Sequence, residues 1–98
     1  MTCNHLYSEL SNRCKNFLYS VERLYYTASK FKRDDFESYY YPNLKRLINV
    51  FVEGLNSDTE RYKRCIDLSG LIKNINRYLD QDPDRSLLYI YDFCSKFE

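Results

Sequence analysis

Apolar residues recur at alternating intervals of four and three along the first third of the chain. We call this set the apolar seam: Leu10, Cys14, Phe17, Val21, Leu24, Ala28 and Phe31. Residues three and four positions apart lie above one another on one face of an α-helix, so the seam predicts a helix over residues 4–32. Such a helix would be about 43 Å long and would need partners along its length. We therefore expect the other segments to pack against it, with Phe17, Leu24 and Phe31 buried.

The period of the seam also suits a dimeric coiled coil, which repeats its apolar positions about every 3.5 residues. Leu18 and Tyr25, however, widen the apolar face beyond the narrow strip that two helices share. The wider face favours a helical bundle formed within one chain.

Pro42 interrupts the next segment with helical spacing. Because proline disfavours helical geometry in the residue before it, we expect a helical turn through residues 39–41 to end or kink there. Pro42 can equally stand in the first turn of a new helix, which would carry the apolar positions between residues 44 and 55. Gly54, near the end of that helix, matches a left-handed helix terminator.

The remaining sequence predicts two more helices. Apolar residues keep one helical phase from Tyr62 to Leu79, across Gly70, so we expect one helix there, kinked at most at the glycine. Asp82 followed by Pro83 is a helix-start signal, because aspartate caps the first turn and proline suits the first helical position. The last helix is therefore expected to begin at Pro83.

Strand signals are absent from the sequence, since no segment sustains an alternation of apolar and polar residues with a period of two. The 98 residues include two Gly and two Pro, which suits helices joined by short turns. We therefore predict an all-α fold, a single small helical bundle of about four helices built on the long N-terminal helix. This length supports one core and is too short for two, so residues 1–98 form one predicted domain.

The composition is that of a folded domain, with 44% hydrophobic and 30% charged residues. No run of about 18 apolar residues exists, and the N-terminal residues lack the apolar region of a signal peptide. We therefore expect a cytoplasmic protein without membrane association. The net charge of +1 argues neither for nor against binding to nucleic acid.

The four cysteines, Cys3, Cys14, Cys65 and Cys94, form no CxxC pair and no Cys/His metal pattern. Each lies in phase with apolar neighbours, where a free cysteine behaves as a small apolar side chain. We therefore expect reduced cysteines in the core. Disulfides between helices are the alternative, although Cys3 and Cys14 cannot pair with each other because they lie about 16 Å apart along one helix.

Signals for catalysis are weak. His5 is the one histidine, and Glu9 one helical turn away indicates a surface contact between the two. The sequence contains no glycine-rich phosphate loop, no HExxH or GxSxG motif and no paired-cysteine zinc pattern. The acidic pair Asp34-Asp35 is better explained by the start of a helix than by a cation site. We therefore expect no enzyme activity, no cofactor and no metal.

The outer face of the first predicted helix carries an unusual run of polar, aromatic and basic residues. We call it the Tyr/Arg/Lys stripe: Asn12, Asn16, Tyr19, Arg23, Tyr26, Lys30 and Arg33. A solvated face needs no aromatic residues, whereas protein interfaces concentrate tyrosine and arginine. The same pairing can stack on bases and neutralise phosphates. The alternative is structural: Tyr19 and Tyr26 are covered by the Tyr39–Tyr41 segment or by the last helix.

In length and predicted four-helix layout, the chain resembles small bacterial immunity and inhibitor proteins, which bind and block a toxin. Many nuclease-blocking proteins are strongly acidic to match a basic toxin, and this chain is not. We predict a non-enzymatic protein-binding module, of the inhibitor or immunity type, that contacts a protein partner through the stripe as a monomer or homodimer. The alternative is a small nucleic-acid-binding helical protein that uses the same stripe.

Overall fold

The computed structural model describes residues 3–97 and contains helices and turns, without a strand, in that range. In chain order the helices are α1 (Cys3–Ala28), α2 (Arg33–Ser57), α3 (Thr59–Tyr62), α4 (Ser69–Tyr78) and α5 (Pro83–Cys94), followed by a 3₁₀ turn at Ser95–Phe97. The predicted all-α fold with a long N-terminal helix is therefore confirmed. Within residues 3–97, no helix combines the length and the apolar character needed to cross a lipid bilayer.

The two longest helices, α1 and α2, form an antiparallel hairpin. In its middle the ring centroids of Phe17 and Phe51 lie 4.8 Å apart, and near its turn the Tyr25 ring lies 6.0 Å from that of Tyr40. α1 buries one continuous face: Leu6, Leu10, Cys14, Phe17, Val21, Leu24 and Ala28. The apolar seam is therefore core as far as the end of α1, and the molecule is elongated, measuring 49 × 23 × 19 Å.

α1 ends at Ala28, before the predicted end at residue 32. The backbone tightens there, because the Phe31 amide donates to the Ala28 carbonyl at 3.0 Å, a short-range hydrogen bond that often closes helices. The Ser29 hydroxyl also donates to the Tyr26 carbonyl at 2.7 Å. Phe31 therefore lies in the turn, exposed, with its ring 5.1 Å from that of Tyr39. The predicted burial of Phe31 is wrong, because the helix that would have directed it inward has already ended.

α2 continues through Pro42 as one helix, so the helix end that the sequence allowed at this residue does not occur. Proline removes one intrahelical hydrogen bond, but the neighbouring side chains compensate. Tyr40 and Leu44, on either side of the proline, are both buried in the core. Packing on both sides of Pro42 thus outweighs the local preference for a break.

Gly54 lies inside α2 and does not end it, because the helix continues to Ser57. Within residues 3–97 no glycine has a positive φ, so the predicted left-handed terminator is wrong. Gly54 instead leaves space for a neighbouring side chain. A Cβ atom at this position would lie 2.6 Å from Nη1 of Arg13, whose side chain passes here to pair with Asp58. The glycine therefore lets α1 and α2 approach closely enough for that ion pair.

The single third helix that the sequence predicted is divided in two, because α3 ends at Tyr62 and α4 begins at Ser69. Cys65, in the segment between them, is bonded to Cys3 and holds this segment against the start of α1. Asp67 then supports the first turn of α4: its carboxylate accepts hydrogen bonds from the Ser69 amide at 2.9 Å and hydroxyl at 2.7 Å. These contacts interrupt the predicted third helix, although its apolar residues keep one helical phase from Tyr62 to Leu79.

Gly70 lies exposed in the first turn of α4, and no atom lies within 4 Å of the place that a Cβ would take. Gly70→Ala should therefore raise the free energy of unfolding by about 0.4–1 kcal/mol, because alanine restricts the unfolded chain without a clash. Urea titration measures the change. Gly54→Ala is the matched control and should gain less stability, since its added Cβ would meet the Arg13 side chain. A Gly70→Ala protein less stable than the parent would contradict this placement.

α5 begins where the sequence predicted, with Asp82 as its cap and Pro83 as its first residue. The Asp82 carboxylate accepts a hydrogen bond from the Arg85 amide at 3.2 Å. Ser86 is fully buried and donates to the Ile75 carbonyl at 2.6 Å, which fixes α5 against α4. Since α5 also packs against both helices of the hairpin, the core lies between α1, α2 and α5, with α4 laid over α5 and α2.

All four cysteines are paired in disulfides, so the predicted reduced cysteines are wrong. Cys3 is bonded to Cys65 and Cys14 to Cys94, with 5.6 Å between the Cα atoms of each pair. A cysteine in phase with an apolar face points towards a neighbouring segment, and two such cysteines that meet in suitable geometry can bond. The apolar phase therefore places the cysteines correctly but does not distinguish a buried thiol from a disulfide.

Candidate binding surface

All seven residues of the Tyr/Arg/Lys stripe are exposed in the structure. Tyr19 is 56% exposed and Tyr26 is 64% exposed, although both are large aromatic residues. The structural alternative, in which the Tyr39–Tyr41 segment or the last helix covers them, therefore does not apply. Tyr40 of that segment packs instead against Tyr25, on another face of α1. The outside of α1 thus presents aromatic area that the core of the fold does not use.

The stripe is not one helix face along its whole length. Five of its residues lie on α1: Asn12, Asn16, Tyr19, Arg23 and Tyr26. Lys30 lies in the turn after Ala28, and Arg33 is the first residue of α2. Lys30 stays with the stripe, because its Nζ atom lies 4.6 Å from the Tyr26 ring centroid. Arg33 belongs to a different helix, so the prediction that one helix face carries the whole stripe is wrong at that end.

Two pairs of cationic and aromatic side chains order the surface of the stripe. The guanidinium carbon of Arg23 lies 5.8 Å from the Tyr19 ring centroid, and Nη1 of Arg23 donates to the Tyr19 hydroxyl at 3.4 Å. Lys30 and Tyr26 form the second pair. Such pairs contribute about 0.5–1 kcal/mol each at exposed sites. A partner that binds here would lose less side-chain entropy than on a surface of unrestrained lysines and arginines.

A groove runs beside the stripe, between α1 and α2. It consists of two adjoining cavities of about 330 and 250 Å³, which share Ser20, Arg46 and Leu47 in their linings. Asn16 of the stripe borders the first cavity, and Arg23 of the stripe borders the second. We call this feature the α1–α2 groove. It extends the candidate surface from α1 onto α2.

The two halves of the groove differ in polarity. The first cavity has an apolar floor made by Phe17, Leu47 and Phe51, with Val50 beside them. The second cavity is lined mainly by polar side chains, and Arg23 and Arg46 approach it from different helices. The groove therefore offers an apolar pocket bordered by arginines, next to a more polar pocket that is also lined by arginines.

Sequence reasoning did not predict the α2 side of the groove. Arg46 and Val50 lie one helical turn apart, outside the buried face of α2, which includes Leu44, Ile48 and Phe51. An apolar residue off the buried face, one turn from an arginine, was the available signal. That signal is weak, because single exposed apolar residues are common on protein surfaces. The packing of α2 on α1 is what places both residues beside the stripe.

A separate polar cluster lies towards the start of α1, where it meets α3. Glu9 pairs with Arg61 at 2.7 Å between Oε2 and Nη1, and Arg13 pairs with Asp58. Partial desolvation acts to raise the pKa of the Glu9 carboxyl, but the hydrogen bond and the charge of Arg61 outweigh it and hold that pKa below its ordinary value. Nε2 of His5 lies 3.5 Å from Oε1 of Glu9, which is the surface contact that the sequence predicted. These contacts fix α3 against α1, which gives the cluster a structural role.

Tyr40 and Tyr41 connect the hairpin to α5. The Tyr41 hydroxyl donates to the Asp84 carboxylate at 2.8 Å, and this hydrogen bond raises the pKa of Tyr41. Burial, with a smaller contribution from the charge of Asp84, raises the pKa of Tyr40 to about 12. Tyr40 therefore serves as a packing group in the core, and the Tyr41 hydroxyl serves as a hydrogen-bond donor.

Metal ligands do not converge in the described part of the chain: residues 3–97 bring no three His, Cys, Asp or Glu side chains together around a possible ion. Two acidic residues at the start of α5 have structural roles. Asp82 caps α5, and Asp84 accepts the hydrogen bond from Tyr41. None of these contacts involves the groove or the stripe, so both surfaces remain available to a partner.

Comparison of the chain with protein-family models, with curated proteins and with solved structures found no match. No relative therefore assigns a function to the stripe or to the groove. The resemblance to small immunity and inhibitor proteins rests on length and helix layout, and bundles of this kind carry many functions. The function has to be inferred from the chemistry of the exposed surface.

Proposed function

We propose that this protein is a non-enzymatic protein-binding module whose contact surface is the Tyr/Arg/Lys stripe. The observation that carries the proposal is the exposure of Tyr19 and Tyr26, each beside a cation, Arg23 or Lys30. Tyrosine and arginine supply much of the binding energy at protein interfaces, because they bury a large area with few rotatable bonds. The core does not use these side chains, and binding a partner gives them a role.

Blocking the partner is the mode of action that we favour. Two disulfides cross-link a small bundle, and within the stripe Tyr19 and Tyr26 are each ordered by a cation–aromatic pair. A preordered surface binds more tightly, because less conformational freedom is lost on association. The resemblance in length and helix layout to small immunity and inhibitor proteins, which bind and block a toxin, favours the same mode of action.

We further propose that the protein works in an oxidising compartment and not in the cytoplasm. All four cysteines are used in bridges between distant segments of the chain. Disulfides persist in extracellular, periplasmic and similar oxidising surroundings, whereas the cytosol keeps most thiols reduced. A partner is therefore expected among proteins of such a compartment.

Binding of nucleic acid through the same stripe is the second candidate function. It is favoured by the alternation of tyrosine rings with Arg23 and Lys30, since rings stack on bases and cations neutralise phosphates. Salt separates the two candidates. A nucleic-acid complex weakens steeply and linearly with the logarithm of salt concentration, whereas an interface centred on tyrosines weakens little.

Affinity capture with the tagged, oxidised protein tests the proposal, with and without nuclease treatment. Arg23→Glu and Tyr26→Ala should each leave the free energy of unfolding within about 0.5–1 kcal/mol of the parent, because both sites are exposed. Binding of the captured partner should weaken by at least about 2 kcal/mol in each variant. Tyr91→Ala is the matched control: Tyr91 is an exposed tyrosine on α5, and its loss should leave binding unchanged.

The outcomes separate the alternatives. A Tyr26→Ala protein that unfolds would make Tyr26 a structural residue, and the proposal would fail. Full binding by both stripe variants would also refute it. Loss of the captured material on nuclease treatment, together with a steep salt dependence, would favour the second candidate.

A further inference from the structure

We infer that the α1–α2 groove binds an acidic amphipathic helix of the partner protein. This inference rests on the proposed protein-binding function and adds the chemistry of the partner. Three features of the groove carry it: an apolar floor with an exposed edge, arginines without acidic partners, and helical walls of limited length.

The apolar half of the groove is shaped to receive an apolar side chain. Phe17 and Phe51 pack together at its base, with 4.8 Å between ring centroids, and both are buried. Leu47 is half-buried, and Val50 at the edge is 63% exposed. A leucine-sized side chain placed here would cover Leu47 and Val50, and the removal of this apolar surface from water favours binding.

Arginines line both halves of the groove: Arg13 and Arg46 the first cavity, and Arg23 and Arg46 the second. Within residues 3–97, neither Arg23 nor Arg46 forms an ion pair with an acidic side chain, and no acidic residue lines the groove. Arg13, at the apolar end, is in contrast already paired with Asp58. Carboxylates are the natural complement of two guanidinium groups that have no acidic partner, since each guanidinium can donate two parallel hydrogen bonds. Because Arg46 and Val50 are one turn apart, the partner needs acidic residues about one helical turn from its apolar anchor.

The walls of the groove suit a helix and not a strand. Both walls are α-helices whose backbone groups are satisfied internally, so they offer no edge to which a β-strand could add. Along α2 the lining runs from Tyr39 to Phe51, which corresponds to about 18 Å or roughly three helical turns. α5 packs elsewhere on the hairpin, where Cys94 is bonded to Cys14. A partner helix in the groove would therefore extend the bundle on its open side by ordinary helix-on-helix packing.

Two synthetic peptides test this inference on the oxidised protein. Each has about fourteen residues, or four helical turns, with leucine at positions i, i+3, i+4 and i+7. The flanking positions carry glutamate in one peptide and lysine in the other. The glutamate peptide should bind at least about tenfold more tightly, because its charge complements the arginines. It should also shift the NMR amide signals of groove residues on both α1 and α2.

Variants with matched controls locate the binding site. Arg46→Glu and Val50→Glu should each weaken binding of the glutamate peptide by at least about tenfold. The controls are Lys73→Glu, an exposed charge change on α4, and Leu88→Glu on α5, where the leucine is 65% exposed. Each control should change the affinity by less than about twofold. The lysine peptide should gain affinity for the Arg46→Glu protein, which separates a charge effect from misfolding.

Other outcomes would overturn the inference. Equal affinities for the two peptides would do so, and so would NMR signal shifts confined to α4 and α5. A concentration-dependent dimer that Val50→Glu abolishes would assign the groove to a second copy of the chain. Shifts at Tyr19 and Tyr26 without shifts in the groove would remove this inference and leave the proposed function standing. The same holds if neither peptide binds while the stripe variants lose the captured partner. If neither peptide binds and the stripe variants keep the partner, both proposals fail.

Discussion

Reduction of the two disulfides should lower the free energy of unfolding by roughly 2–4 kcal/mol for each bridge. The bridges Cys3–Cys65 and Cys14–Cys94 join residues 62 and 80 positions apart in the sequence. In the chain-entropy model, a bridge that closes a long loop removes much freedom from the unfolded chain and so stabilises the folded state. Since a domain of this size has about 5–15 kcal/mol of stability in total, reduction of both bridges should bring it close to unfolding.

Urea titration with and without reducing agent measures this loss, and paired alanine variants separate the two bridges. Removing Cys3 and Cys65 together should also speed amide hydrogen exchange in residues 63–68, because that bridge holds the segment against α1. Alkylation without prior reduction, followed by mass spectrometry, should detect no free thiol. Four alkylated cysteines, or a urea midpoint that reducing agent leaves unchanged, would contradict the pairing.

Features that depend on one helix at a time were predictable from the sequence. The apolar seam identified the buried face of α1, because residues three and four apart share a helix face whatever the neighbours are. Asp82 and Pro83 identified the start of α5, because a cap acts within one turn. The position of Tyr19 and Tyr26 on α1 opposite the seam followed in the same way, but the sequence left open whether another segment covers them, and the structure shows both exposed.

Features that depend on contacts between distant segments were not predictable. α2 passes through Pro42 because Tyr40 and Leu44 are buried against other parts of the core. The third predicted helix breaks in the segment where Cys65 is bonded to Cys3. Neither contact has a signature within the local sequence, so local propensity predicts the wrong element boundaries at both places.

The candidate surface was predictable on α1 and not on α2. Helical spacing alone places Arg23 on the outside of α1. Which residues of α2 stand beside Arg23 depends on the rotation of α2 within the hairpin, and that rotation is set by the burial of Ile48 and Phe51. Arg46 and Val50 border the groove for this reason, and a single sequence without the packing does not indicate it.

Phe17→Ala should lower the free energy of unfolding by about 3–5 kcal/mol, whereas Phe31→Ala should lower it by less than about 1 kcal/mol. Both phenylalanines belong to the apolar seam, so the periodicity predicts the same loss for each. The structure separates them. Phe17 is 6% exposed and packs against Phe51, so its truncation leaves a cavity between α1 and α2. Phe31 is 45% exposed beyond the end of α1, where water already covers much of the ring.

Urea titration of the two oxidised variants makes this comparison directly, because the same side chain is truncated to the same product at two positions of one seam. The difference between the two losses therefore reports where α1 ends and not the chemistry of phenylalanine. The ring of Phe31 still contacts that of Tyr39, with 5.1 Å between centroids, which accounts for a small remaining loss. Equal losses of several kcal/mol would mean that the seam stays buried through Phe31. The helix would then have to continue past Ala28, and Lys30 would share the α1 face of Tyr26 after all.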